Sequence, residues 1–240
     1  MGTFVQTNCK LFAGGYNWSG DMNALALEYG ADPLDDTLFG DSTRSNAGGL
    51  KTVRAAAEGL YQGGAALDKI YYAAIGVSDT IFTICPTTGA IGERAYFFKS
   101  LLSQYTPSAQ LGELMQFGVT AEGRGDLIGG TVLFPKTTVT GSSTSTAQEL
   151  GLVGAGEYLY AALHVFSVSA ADTLDVIVQS DEVAFGSPQT RITFAQNTAI
   201  GSEYATPVAG PIATDTYWRI SYTVAGSDPS ISFAVVLGIQ

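Results

Sequence analysis

Two hundred and forty residues carry 11 Lys and Arg against 22 Asp and Glu, a formal net charge of −11, with 14% charged and 46% hydrophobic residues. Such a chain is too apolar for disorder, too acidic for an ordinary nucleic-acid reader, and lacks the periodicity of a long coiled coil. No apolar run reaches the roughly 18 residues of a membrane span, and Met1 to Lys10 has no basic segment followed by an apolar one.

Along the chain, Met22, Ala24, Ala26 and Glu28 alternate with Asn23, Leu25, Leu27 and Tyr29, the pattern of a strand. Ala31 to Gly49 is long and polar, and a loop of that length is usually functional or disordered. It holds Asp32, Asp35, Asp36 and Asp41, oxygen ligands of the kind calcium takes, but without EF-hand spacing. A turn at Pro33 with a solvated acidic face is the simpler account. Leu34, Leu38 and Phe39 support a third reading, in which the loop docks onto a neighbouring subunit, because apolar residues in a long loop need a surface to bury against.

Leu50 to Tyr61 is a second run, Ala-rich and ambiguous. Ala65 to Ile75 places Leu67, Ile70, Tyr71 and Ile75 at helical spacing, with Gly63 and Gly64 before it and Gly76 as a stop. Strands are expected at Val77 to Cys85, Ala95 to Tyr105, Leu111 to Glu122 and Ile128 to Phe134. Thr137 to Ala147 reads TTVTGSSTSTA, with eight Ser or Thr among eleven residues, the composition of a linker or exposed loop. The expected organisation is therefore a domain at 1–138, a linker at 139–147 and a second domain at 148–240. Beyond Val139 only Arg191 and Arg219 are basic, against nine acids.

The second half reads as strands almost throughout. Tyr158 to Val168 is apolar on both faces, which suits a central strand, and Arg191 to Phe194 is shorter. Leu174 to Gln179, Tyr217 to Val224 and Ile231 to Ile239 alternate. Short strands punctuated by Gly, Pro, Ser and Asp clusters are the signature of an antiparallel sandwich. The fold class expected is mainly β: an N-terminal split β-barrel or sandwich with one short helix, then a C-terminal antiparallel β-sandwich.

Catalysis has little to work with. The single histidine, His164, lies in the middle of an apolar strand, where a packed ring with a hydrogen bond is expected. No nucleophile elbow, zinc pattern or phosphate-binding glycine motif is present. The expectation is no enzyme, no metal and no cofactor, with a spatial pair of carboxylates acting on a glycoside as the enzymatic alternative. Cys9 and Cys85 are too few for a disulfide framework and are expected to be reduced, packed thiols of a protein made in a cytoplasm. Trp218 shares a face with Ile220 and Tyr222 and is expected in the core. Tyr217 and Arg219 point the other way and are the surface candidates for a weak glycan contact.

These residues resemble a family. The segment from Gly14 to Gly64 is similar to the N-terminal part of the tail tube proteins of long-tailed, non-contractile bacteriophages. The likeness lies in the turn Asn17-Trp18-Ser19-Gly20 before a strand, in the acidic loop ending at Phe39 to Arg44, and in the following Gly-Leu and strand. The helix at Ala65 to Ile75 sits where that family has one, and the second half looks like the sandwich some phage structural proteins carry after the tube domain.

The resemblance implies a virion protein made in the host cytoplasm. Its partners would be itself, in hexameric rings stacked into a tube, and other tail proteins at the tube ends. Double-stranded DNA would be its passing cargo. The loop Asp32, Leu34, Asp35, Asp36, Leu38, Phe39, Asp41 and Arg44 would reach the adjacent ring. Glu58, Glu113 and Glu122 are the candidates for an acidic wall that repels phosphates, so that DNA slides. The alternatives are a capsid decoration or baseplate protein, and a carbohydrate-binding module.

Overall fold

The computed structural model describes residues 8–40, 42–61 and 66–240. In chain order the elements are β1 (Lys10–Ala13), β2 (Tyr16–Asn17), β3 (Met22–Asp35), β4 (Asn46–Leu60), α1 (Ala66–Ala74), β5 (Thr80–Cys85), β6 (Arg94–Ser108), β7 (Gln116–Gly123), β8 (Ile128–Val139), β9 (Ser143–Thr144), β10 (Gln148–Glu149), β11 (Tyr158–Val168), β12 (Thr173–Asp181), β13 (Gln189–Thr193), β14 (Gly201–Tyr204), β15 (Val208–Ala209), β16 (Tyr217–Ala225) and β17 (Ile231–Ile239). The protein is mainly antiparallel β with one short helix among the described residues, as the alternation of its apolar residues requires. It divides into two compact units, and both are discontinuous in sequence.

Unit 1 comprises the chain up to Gly20, Ile81–Phe97 and Ile128–Gln240. One of its sheets runs β14-β11-β17-β8-β6-β5-β1-β2, with β15 beside β11; the other runs β10-β16-β12-β13, with β9 added to β16. The two pack as a sandwich. Leu159, Leu163, Val165, Phe233, Val235 and Leu237 from β11 and β17 share one core with Val176, Val178, Trp218 and Ile220 from the second sheet. The alternate residues Ala162, Ala234 and Val236 turn to a second core with Phe12, Ile81, Phe97 and Val132. The first sheet therefore curls so that its two ends share that second core. A strand covered on both faces must be apolar at every position, which is why β11 and β17 read as unbroken apolar runs. Where β8 pairs with β17 the backbones come close enough to demand glycine: a Cβ on Gly130 would collide with the Leu237 carbonyl oxygen.

Unit 2 comprises Asp21–Thr80 and Phe98–Leu127. Its sheet is β3-β4-β7-β6, all antiparallel. One face is buried: Val53, Ala55 and Ala57 of β4 with Phe117, Val119 and Ala121 of β7 and Leu102 of β6. Helix α1 covers it, the Tyr71 ring lying 5.1 Å from Phe117 and 5.4 Å from Tyr105. The small side chains on β4 are what the Ala-rich run supplies, and the run is a strand. Gly76, at φ 77°, ends the helical segment, and its N–H donates to the Leu102 carbonyl at 2.9 Å.

Three sequence expectations are revised. The Ser/Thr-rich stretch at 139–147 does not separate two domains. β8 runs to Val139, β9 and β10 pair with β16, Ser145 N donates to the Ile220 carbonyl at 2.9 Å, and Ser142 Oγ accepts from Val224 N at 2.9 Å. Polar residues with good strand propensity have been taken up as sheet edge. The division at 138 and 148 gives way to one in which residues 8–20, 81–97 and 128–139 join the C-terminal sandwich. The loop expected at Ala31 to Gly49 shrinks to 36–45, because β3 and β4 continue to pair through Leu34↔Ala47 and Asp35↔Asn46. The strand expected from Leu111 begins at Gln116, after a turn in which Glu113 N donates to the Gln110 carbonyl at 3.0 Å.

Candidate self-association surface

The four-stranded sheet of unit 2 has two open sides. β3 pairs with β4 on one side and with no strand on the other among the described residues; β6 from Gln104 to Ser108 pairs likewise with β7 alone. Proline is tolerated in strands where its nitrogen meets an open edge, and Pro33 in β3 and Pro107 in β6 both lie on these edge strands. Three antiparallel steps separate β3 from β6, so the two edges run in opposite directions. Long unpaired edges are templates for another chain.

The uncovered face carries polar and small residues in rows set by the register. Glu28 lies opposite Arg54, and Arg54 opposite Glu122; Ala26, Ala56, Thr120 and Gln104 form the next row; Ala24, Glu58, Gly118 and Thr106 the third. Arg54 reaches Glu28 at 3.9 Å and Glu122 at 3.3 Å, half-exposed pairs worth little to stability. A shallow depression of 270 Å³ opens on this face over Glu58, Gln104 and Thr106. Of the three glutamates expected together, Glu58 and Glu122 share the face. Glu113 sits off it, in the 109–115 turn.

Beyond Val53 the β3–β4 ladder loses β7 and becomes a two-stranded arm, five pairs long at roughly 3.4 Å per residue. Asp32, Leu34 and Asp35 lie on its β3 side; Asp36, Leu38, Phe39 and Arg44 are in the 36–45 loop; Asp41 lies outside the described residues. Leu34 is 56% exposed, Leu50 82%, and Phe39 fully exposed. The loop is clasped at its neck. Thr37 N and Oγ1 both donate to Asp35 Oδ1, and Thr37 Oγ1 accepts from Ser45 N at 3.0 Å. The Thr37 hydroxyl and amide hold the Asp35 carboxyl below its ordinary range. A two-stranded ribbon is marginal alone in water, so this arm has the form of an element completed by a partner.

The sandwich of unit 1 places the other candidates as their alternation suggested. Trp218 is fully buried and its Nε1 donates to the Gly151 carbonyl at 2.9 Å. On the opposite face the Tyr217 hydroxyl donates to Glu149 at 3.1 Å, which raises the phenol pKa. Arg219 Nε donates to Gln179 Oε1 at 3.1 Å, and its guanidinium lies 4.2 Å from the Phe185 ring centre. Sequence reasoning missed a buried cluster: Asp215 accepts from Ser180 at 2.6 Å, Arg191 at 2.8 Å and Thr214 at 2.8 Å. Burial alone would raise the Asp215 pKa, but these donors hold it below its ordinary range. Nothing local ties residue 215 to residues 180 and 191; the pairing of β12 with β13 brings the latter two together.

His164 is fully buried. Its Nδ1–H donates to the Gly14 carbonyl at 2.6 Å, which leaves Nε2 to accept from the Thr83 hydroxyl at 2.8 Å. Burial pushes its pKa down to about 4, against the pull of the Gly14 carbonyl. This is the packed ring expected from its apolar strand. Neither cysteine forms a disulfide; burial, with Cys9 and Glu93 near it, pushes the Cys85 thiol up to about 12. Among the described residues, no three His, Cys, Asp or Glu side chains converge as metal ligands could. Among the same residues, no helix is long and apolar enough to cross a membrane.

Fold and surface together define an antiparallel β protein with an open-edged sheet and a long apolar-tipped arm. No protein-family model and no curated protein matches the chain. Among solved structures it is similar to the Dit protein of phage SPP1, described as a paradigm of the hub adsorption apparatus in phages that infect Gram-positive bacteria. The likeness covers 98% of this chain and 100% of that one, at 10% identity and a TM-score of 0.38.

Proposed function

We propose that the protein is a structural subunit of a bacteriophage tail, polymerising as stacked hexameric rings into the tube through which the genome passes. The observation that carries this reading is the four-stranded sheet with two open edges of opposite direction. Copies set side by side meet antiparallel, β6 of one against β3 of the next. A closed ring of such sheets leaves no edge exposed. The sequence likeness of Gly14 to Gly64 to tail tube proteins supports the same assembly, and those residues include β3, β4 and the arm. The sandwich of unit 1 takes no part in that wall. The reading assigns the protein no catalytic step.

In this assembly the polar face lines the lumen, with Glu58 and Glu122 on it. Carboxylates facing a phosphate backbone prevent lasting contacts, so the DNA is cargo and not ligand. The test is negative-stain microscopy of the purified full chain over a range of protein and salt concentrations. Rings or tubes are expected. A protein that stays monomeric throughout overturns the reading, and particles that carry the protein only on the head or at the tail tip replace it with a decoration or baseplate role.

A further inference from the structure

We infer that the arm of each copy seats on the β6–β7 turn of a copy in the next ring. The inference rests on the stacked-ring reading and adds the receiving surface to it. The register puts the two features at opposite ends of one sheet. β3 and β4 finish at Asp35↔Asn46, with the 36–45 loop beyond them. At the other end Gln116 pairs with both Leu60 and Ser108, and residues 109–115 close the turn.

Each end presents apolar side chains that the sheet leaves in solvent. The arm has Phe39, fully exposed, and Leu34; the turn has Leu111, fully exposed, and Leu114 at 75%. Charge favours this pairing over arm against arm. Residues 36–45 carry Arg44 beside Asp36 and Asp41, and Glu113 is the sole charged residue of 109–115, so this pairing sets a single acid, within reach of Arg44, against the loop. Two arms in contact would instead bring Asp35 and Asp36 of one copy against those of another. Both ends are also preshaped, the arm by the Thr37 clasp and the turn by the Glu113 to Gln110 hydrogen bond, so little ordering is left to offset on contact. A contact between unlike ends of identical chains is heterologous. Because the two features lie at opposite ends of the strands, this one propagates along the strand direction, whereas the edge-to-edge contact closes the ring.

The test compares Phe39→Asp, which disables the arm, with Leu111→Asp/Leu114→Asp, which disables the turn, each in the full chain. All three residues are exposed, so the thermal melt of the unassembled chain is expected to match the unmodified protein. Each variant alone should form rings that do not stack, with mean tube length down about tenfold or more because every ring junction is multivalent. Mixing the two should give ring pairs that grow no further, since one competent junction remains. Exchange of charge gives a second readout: R44E and E113R should each shorten tubes, and the double variant should restore length. Tubes of ordinary length from either apolar variant, a mixture that stays as single rings, or a charge-exchanged chain no better than its parents overturns the inference while leaving the ring reading intact. An unmodified protein that makes rings without tubes removes both the stacking and this contact; one that makes no rings removes the proposed function itself.

Discussion

The two units bury their sheets differently. In unit 1 the central strands β11 and β17 are covered on both faces, one by the β12–β16 sheet and the other by Phe12, Ile81 and Phe97. In unit 2 one face is covered, the other is polar, and β3 and the end of β6 have open sides. A sheet closed on both faces owes its stability to its own chain. A sheet with one wet face and two open edges leaves backbone groups for a partner strand, and on the proposed reading other copies supply it. Substitutions in the first region should therefore register as folding defects, and those on the wet face of the second as defects of assembly or transport.

The sharpest break in that comparison comes from Trp218→Ala. It empties a fully buried site and orphans the Gly151 carbonyl, so denaturant unfolding should show a loss of about 3–5 kcal/mol. A loss below about 1 kcal/mol would mean that the unit 1 core is not the cooperative body described.

Next in size is the effect of pH through His164. Its folded pKa lies at about 4, below the 6.5 of a free histidine. The unfolded chain takes up the proton first, so this contribution is complete above pH 6.5 and is lost as pH falls from there through 4. That window spans about 3 kcal/mol at most. Unfolding free energies measured at half-unit steps from pH 7 to pH 4 should fall accordingly. In His164→Gln, which can still bond Gly14 or Thr83 but does not titrate, this portion of the slope should vanish. An unchanged slope would assign the acid sensitivity to carboxylates instead.

The smallest folding effect is expected on the wet face of unit 2. Glu58→Lys and Glu122→Lys should change stability by no more than about 0.5 kcal/mol, with tubes intact, while DNA ejection slows. A large drop in melting temperature would show that the face is structural; unchanged ejection would remove these glutamates from the lumen.

What could be read from the sequence followed from how local the cause was. β11 and β17 were legible because two-sided burial writes an apolar residue at every position. The end of α1 was legible because Gly76 supplies the left-handed turn. The arm was hidden because Pro33, Gly48 and the aspartates read as loop, whereas the Leu34↔Ala47 pairing is made by backbone groups that any residue provides. The Ser/Thr-rich stretch was hidden for the same reason. β1, four residues long, reads as nothing until β5 pairs with it from seventy residues away. The Glu58 and Glu122 pair was half legible. Alternation within a strand gives the face, but only the register between β4 and β7 brings the two carboxylates onto one side, and nothing in a turn's sequence warned that Glu113 would fall off it.

The position of β17 carries a consequence in time. This strand, made from residues 231–239, is laid between β11 and β8, whose residues precede it by some seventy and a hundred positions. Both ladders that flank it therefore wait for the end of the described chain to be synthesised, and non-local pairing of this kind is slow. On the proposed reading, ring assembly then waits for residues 231–239: a copy that lacks them has a gap in the middle of its first sheet and stays a client of chaperones, not a candidate for a growing tube.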